Sequence, residues 1–74
     1  MTLSICFKDS IGSDWITLAR AASAWHAAWI AVAAVEHFHE SIGVRIFDGT
    51  HCYDPKRWDF DPVRLSNAIQ KGRG

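Results

Sequence analysis

Histidine, cysteine and glutamate side chains occur together at two places in this sequence, and such residues can hold a metal ion. The first place is the run Glu36–Glu40 (EHFHE), and the second is the adjacent pair His51 and Cys52. His37 and His39 are two residues apart and do not face each other on a helix, while neighbours on a strand point to opposite faces. We therefore predict no metal and no cofactor. A metal- or thiol-dependent regulatory protein that uses His37, His39, His51 and Cys52 stays as an alternative.

The two cysteines also raise the question of thiol chemistry. Nucleophilic catalysis needs a thiolate with a base in reach, and Cys52 has only its neighbour His51 or the distant His39 to offer. No Ser/His/Asp arrangement and no glycine-rich phosphate loop can be argued, so we predict that the chain is not an enzyme. A disulfide between Cys6 and Cys52 across neighbouring strands is geometrically possible in an oxidising compartment. Two cysteines form no disulfide framework and no signal-peptide pattern is visible, so we expect a cytoplasmic protein.

Charge and aromatic content distinguish the C-terminal third of the chain. The net charge of the whole chain is zero with neutral histidines, so direct nucleic-acid binding is not expected, although cations interleaved with aromatics can hold single strands. Acidic residues among these cations cancel much of their field. Trp58 lies in a polar stretch, and tryptophan and arginine dominate binding hot spots. It could either anchor a partner or staple its loop onto a helix. The predicted partner-binding residues are Trp58, Arg57, Lys56, Phe60 and Arg64.

The stretch 14–41 contains no glycine or proline and is rich in alanine, the best helix former, so we predict one long helix over 14–41. Ser13 is its expected N-cap. Large apolar residues form one stripe on this helix, and a second stripe consists of Ala24, Ala27, Ala28, Ala31 and Ala34. A helix that is apolar nearly all round should be buried on more than one side, and small residues allow close approach of another backbone. We expect the alanine stripe to mediate self-association as a homodimer; alternatively, the C-terminal helix covers it. The apolar run is too short for a membrane span.

The remaining elements follow from shorter patterns. Residues 2–8 alternate between apolar and polar and predict a half-buried strand. Residues 44–53 predict a hairpin around a two-residue turn at Asp48-Gly49. An aromatic loop over 54–61 precedes a short helix over 62–71, which Asp61 caps and Pro62 begins. The order β-α-β-β-α predicts a single α+β domain, with a three-stranded antiparallel or mixed sheet packed on the long helix.

In size, neutral charge and lack of active-site motifs, the chain resembles the small proteins that phages and mobile elements encode to bind host machinery. Anti-CRISPR proteins are the best-known group of this kind. The resemblance concerns the character of the whole chain and no specific residue, so it transfers no site. It implies a non-enzymatic binding module that inhibits or regulates a larger complex, such as a CRISPR–Cas nucleoprotein, by occupying its surface. A self-assembling structural subunit is the alternative.

Overall fold

The computed structural model of the chain describes residues 2–8, 14–37 and 43–72. The described residues form four strands, two α-helices and a short 3₁₀ helix. In chain order these are β1 (Leu3–Lys8), β2 (Ile16–Ala21), α1 (Ala24–His37), β3 (Gly43–Phe47), β4 (Cys52–Tyr53), the 3₁₀ helix (Pro55–Trp58) and α2 (Pro62–Gln70). The strands form one antiparallel sheet in the order β2-β1-β3-β4. The α+β class is confirmed, whereas the sheet has four strands rather than the predicted three.

The predicted long helix over 14–41 is wrong in its first part, where the chain forms β2 instead. Ile16 and Thr17 are β-branched, and such residues favour a pleated strand over a helix. Pairing with β1 decides in favour of a strand, because it provides partners for the backbone hydrogen-bonding groups along one edge of this segment. The helix α1 begins only after Ser23, whose hydroxyl oxygen accepts a hydrogen bond from the His26 amide at 3.2 Å. The expected N-cap Ser13 and the predicted helix end at 38–41 lie outside the described residues.

The alanine stripe of α1 faces the interior of the chain. Ala27, Ala28 and Ala31 are fully buried, and Ala34 is 8% exposed. They belong to one core cluster with buried residues of all four strands and of α2, namely Leu3, Ile5, Ala21, Val44, Ile46, Tyr53, Leu65 and Ile69. The predicted self-association through Ala24, Ala27, Ala28, Ala31 and Ala34 therefore lacks an available surface, because the sheet and α2 already cover four of the five.

The hairpin between β3 and β4 has a longer loop than predicted. Ile46 pairs with Tyr53 and Phe47 pairs with Cys52, which leaves a four-residue loop from Asp48 to His51. The Asp48 carboxylate accepts from the amides of Thr50 (2.8 Å) and His51 (2.5 Å), and this closes the wider loop. A two-residue turn would have placed His51 on the inner face beside Tyr53. In the structure His51 is exposed, while Tyr53 is fully buried.

Candidate interaction surfaces

The segment that joins β4 to α2 is a tightly hydrogen-bonded turn, which we call the corner (residues 54–64). Asp54 caps the 3₁₀ helix by accepting from the Lys56 amide at 3.0 Å. Asp61 caps α2 by accepting from the amides of Val63 (2.9 Å) and Arg64 (3.5 Å). Two aspartate caps seven residues apart fix both ends of the segment. The predicted aromatic loop is therefore a defined structure.

Two consecutive residues of the corner have left-handed backbone conformations. Asp59 has φ of 56° and Phe60 has φ of 57°, and among the described residues they are the only ones other than glycine with positive φ. Aspartate tolerates this region, but for a bulky side chain such as phenylalanine it is a strained conformation. Hydrogen bonds from the Phe60 amide to the Pro55 carbonyl and from the Asp61 amide to the Trp58 carbonyl, both 3.0 Å, hold the strained pair in place.

Trp58 and Phe60 point in different directions from this turn. Trp58 is half-buried and packs against the core, with its ring 6.4 Å from the ring of Tyr53. The Arg57 guanidinium lies 5.6 Å from the Trp58 ring. Trp58 thus fits the predicted staple better than the predicted anchor. Phe60 remains 43% exposed, so it is the more exposed aromatic side chain of the corner.

The charges of the corner are partly neutralised within the chain. Arg64 pairs with Asp59, and Arg45 of β3 pairs with Asp54 at 3.2 Å. Lys56 and Arg57 are exposed beside them. The structure thus brings Lys56, Arg57, Phe60 and Arg64 together at the surface of one short segment. Mixed charge around a single exposed aromatic ring suits a protein surface better than a polyanion.

A second exposed apolar surface lies on α1, on the side away from the core. Trp25 and Trp29 are 45% and 49% exposed, and their rings meet edge to face with centroids 5.8 Å apart. The sequence predicts a helix that is buried on more than one side. Alanines occupy the core side of this helix instead, so these two indoles face outwards. The sequence signal for this arrangement is the alanine stripe itself, because the side of a helix that approaches its neighbours most closely needs the smallest side chains.

The sheet face opposite α1 is covered in part by Trp15. Its ring lies 5.9 Å from the ring of Phe47, with the Lys8 amine at 5.9 Å and the Arg45 guanidinium at 5.6 Å from the indole. Cys6 is 6% exposed on this face, with its sulfur 3.6 Å from the Thr17 hydroxyl oxygen. Trp15 and the side chains that contact it therefore cover part of this face of the sheet.

The described residues considered for metal and thiol chemistry form no metal site. Among residues 2–8, 14–37 and 43–72 no three His, Cys, Asp or Glu side chains converge on a point that could hold a metal, and His39 lies outside this part of the chain. The predicted option of a Cys6–Cys52 disulfide across neighbouring strands fails, because β3 lies between β1 and β4. Two strand spacings, about 9.6 Å, exceed the reach of a disulfide. Burial raises the pKa of the Cys52 thiol, with Arg45 opposing and Asp54 adding to this effect. That direction disfavours a reactive thiolate.

Asp48 is the most highly connected carboxylate of the hairpin. Besides its two amide donors, it accepts a hydrogen bond from the buried Tyr53 hydroxyl at 3.0 Å, and the His51 ring nitrogen lies 3.6 Å away. The His51 amide is the largest cause that lowers the pKa of Asp48, and the Thr50 amide and Tyr53 hydroxyl act in the same direction against burial. Burial and the bond to Asp48 raise the pKa of Tyr53. These hydrogen bonds hold the loop in place and give the Asp48 carboxylate and the Tyr53 hydroxyl their partners. We therefore assign the cluster a structural role.

No protein-family model, curated protein or solved structure matches the chain. In the described ranges, neither helix is long and apolar enough to cross a membrane.

Proposed function

We propose that this chain is a small non-enzymatic protein-binding module that acts by contact through the corner, with Phe60 as its anchor. The observation that carries the proposal is the combination of strain and exposure at Phe60. A left-handed phenylalanine costs about 1–2 kcal/mol in the folded chain. A side chain that stays 43% exposed recovers only part of that cost through burial. Strained residues concentrate at functional sites, where the geometry serves binding.

The surroundings of Phe60 suit a protein partner. Lys56, Arg57 and Arg64 are exposed in the same segment as Phe60, and aromatic and arginine side chains are the residues that dominate protein–protein hot spots. The two aspartate caps and the packing of Trp58 hold the backbone of the corner, including Phe60, in one conformation before a partner arrives. Pre-ordering of this kind reduces the entropy lost on binding.

The resemblance to phage-encoded proteins that bind host machinery suggests the class of partner. We propose a larger host complex, with a CRISPR–Cas nucleoprotein as the first to test, and inhibition or regulation by occupation of its surface. A cytoplasmic location belongs to this proposal, and the unpaired Cys6 and Cys52 are compatible with a reducing compartment.

The test compares three forms of the tagged protein in a lysate of a candidate host. Phe60→Gly removes the anchor and relieves the backbone strain, and circular dichroism of the purified variant verifies that it is folded, so that loss of binding reports the missing ring. Ile16→Ser, on β2, removes an apolar side chain of similar exposure (49%) outside the corner and serves as the matched control. We expect a partner to be retained by the wild type and by Ile16→Ser, and to be lost from Phe60→Gly.

The CRISPR–Cas proposal has its own readout. Expression of the wild type should raise phage plating on a host with active interference, and Phe60→Gly should not. Capture of identical proteins by the wild type and Phe60→Gly would refute the assignment of the corner. Unchanged plating in every host tested, together with capture of a different complex, would refute the CRISPR–Cas part alone.

A further inference from the structure

The outward side of α1 carries a short regular seam. His26, Trp29, Ala33 and Glu36 are all exposed, and their spacing of three, four and three residues is that of the a and d positions of a coiled coil. The seam lies opposite the buried alanines. Trp25 flanks it and packs edge to face on Trp29.

We infer that this seam pairs with the same seam of a second copy of the chain, with the two α1 helices antiparallel. In an antiparallel pair each a position meets a d position of the other helix. Trp29 then lies over Ala33 of the second copy, and His26 lies beside Glu36 of the second copy. The two-fold axis repeats both contacts, which gives four layers from four residues.

Size and charge along the seam select this occupant and this direction. The bulky indole lies in the N-terminal half of the seam and the small alanine in the C-terminal half, so reversal of one helix places large against small. Glu36 comes to the positive N-terminal end of the other helix and can accept a hydrogen bond from His26 there. A parallel pair would set Trp29 against Trp29 and Glu36 against Glu36. A two-fold interface requires a surface that is complementary to itself, whereas binding of a foreign partner does not require this.

The area available predicts a reversible dimer. If a whole Trp side chain offers about 250 Å², the exposed fractions of Trp25 and Trp29 correspond to roughly 240 Å² per copy. A standard stable interface buries about 800 Å² per partner. The two indoles alone therefore supply less than a third of that area. Association should therefore depend on protein concentration.

The experiment is sedimentation velocity of the purified full chain over two orders of magnitude in concentration, with circular dichroism to verify folding of each variant. Ala33→Trp fills the space that receives Trp29 and should weaken association by about tenfold or more. Ala33→Trp also adds apolar surface, so association through non-specific hydrophobic contacts would become stronger rather than weaker. Trp29→Ala also weakens association. The double variant Trp29→Ala/Ala33→Trp exchanges large and small across the axis and should restore the dimer.

Concentration-dependent dimerisation, its loss in Ala33→Trp and its return in the double variant would together support the pairing. A wild type that stays monomeric throughout, as expected if a foreign protein occupies the seam, would overturn it. So would tighter association of Ala33→Trp, or a dimer that none of these substitutions affects. The seam shares no residue with the corner, so Phe60→Gly should dimerise like the wild type, and each proposal can fail without the other.

Discussion

The backbone of Phe60 gives the sharpest test of the corner, because it reverses the usual order of two substitutions. At φ of 57° alanine suffers the steric clash of the left-handed region, whereas glycine does not. Phe60→Gly and Phe60→Ala both remove the whole aromatic ring. Each variant therefore forgoes the same packing of that ring, and the difference in stability between them reports the backbone alone.

The magnitude follows from two opposing effects. Relief of the left-handed conformation favours glycine by about 1–2 kcal/mol. The greater freedom of glycine in the unfolded chain disfavours it by about 0.5–1 kcal/mol. Phe60→Gly should therefore be more stable than Phe60→Ala by up to about 1.5 kcal/mol, with a central value of roughly 0.7 kcal/mol. In a chain of this size that difference corresponds to several degrees in Tm.

Lys56 provides the matched control, since it is exposed in the same corner and does not have positive φ. There the order should be the ordinary one, with Lys56→Ala more stable than Lys56→Gly by about 0.5–1 kcal/mol. Urea unfolding followed by tryptophan fluorescence, with equal m values among the four variants, measures both differences. If alanine is the more stable residue at both positions, Phe60 is not left-handed, and the strain argument for the proposed site is refuted.

Three further predictions concern the hairpin, the core and the second helix. Folding lowers the pKa of Asp48, so the contribution of this carboxylate to stability is present above about pH 4 and is lost as the pH falls through the lowered value. Between neutral and strongly acidic pH, the urea midpoint of Asp48→Asn should therefore fall less than that of the wild type. Ala31→Leu should destabilise the fold by about 1–3 kcal/mol, since it adds atoms at a fully buried position. At a protein concentration where the chain is monomeric, Ala33→Leu on the exposed side should change stability by less than about 0.5 kcal/mol. Equal urea midpoints for the two variants would contradict the orientation of α1. Asp61→Ala removes the cap of α2 and should lower the free energy of unfolding by about 1 kcal/mol, and an unchanged urea midpoint would show that the cap contributes little.

Short-range signals in the sequence predict the elements whose causes are themselves short-range. Asp61-Pro62 marks the start of α2, because the carboxylate caps free amides and proline needs no donor in the first turn. The alternation of Leu3 and Ile5 with polar residues predicts the buried face of β1, and both side chains are buried there. In each case the decisive residues lie within a short stretch of the chain, so residue types and spacing are enough to predict the element.

The errors arise where contacts that form only in the folded sheet decide the local structure. Residues 16–21 combine β-branched Ile16 and Thr17 with alanine, arginine and leucine, which favour a helix, so pairing with β1 decides that they form a strand. The Asp48-Gly49 pair predicts a tight turn, but the Asp48 carboxylate stabilises a wider loop and bonds to Tyr53 five residues on. Such interactions exist only after the sheet has formed. No local pattern reports them.

The candidate site shows the same division. The basic and aromatic composition of 56–64 indicates a surface worth testing, but it does not tell Trp58 from Phe60. Trp58 turns inwards because Tyr53 and the core accept its ring. Phe60 turns outwards because the 3₁₀ helix must reverse into α2 within three residues, which forces left-handed conformations at 59 and 60. The roles of these two rings are set by backbone geometry.

The two faces of α1 have one common cause. A helix that must approach both a sheet and a second helix closely can place only small side chains between them, and α1 meets this condition with Ala27, Ala28 and Ala31. Its large apolar residues then have no place inside, so Trp25 and Trp29 must lie on the solvent side. Replacing the inner alanines with larger residues would push the layers apart, and moving the indoles inwards would do the same. Tight packing of this small core and an exposed aromatic seam are therefore two results of the same sequence pattern, and any partner of α1 meets the side that the core could not use.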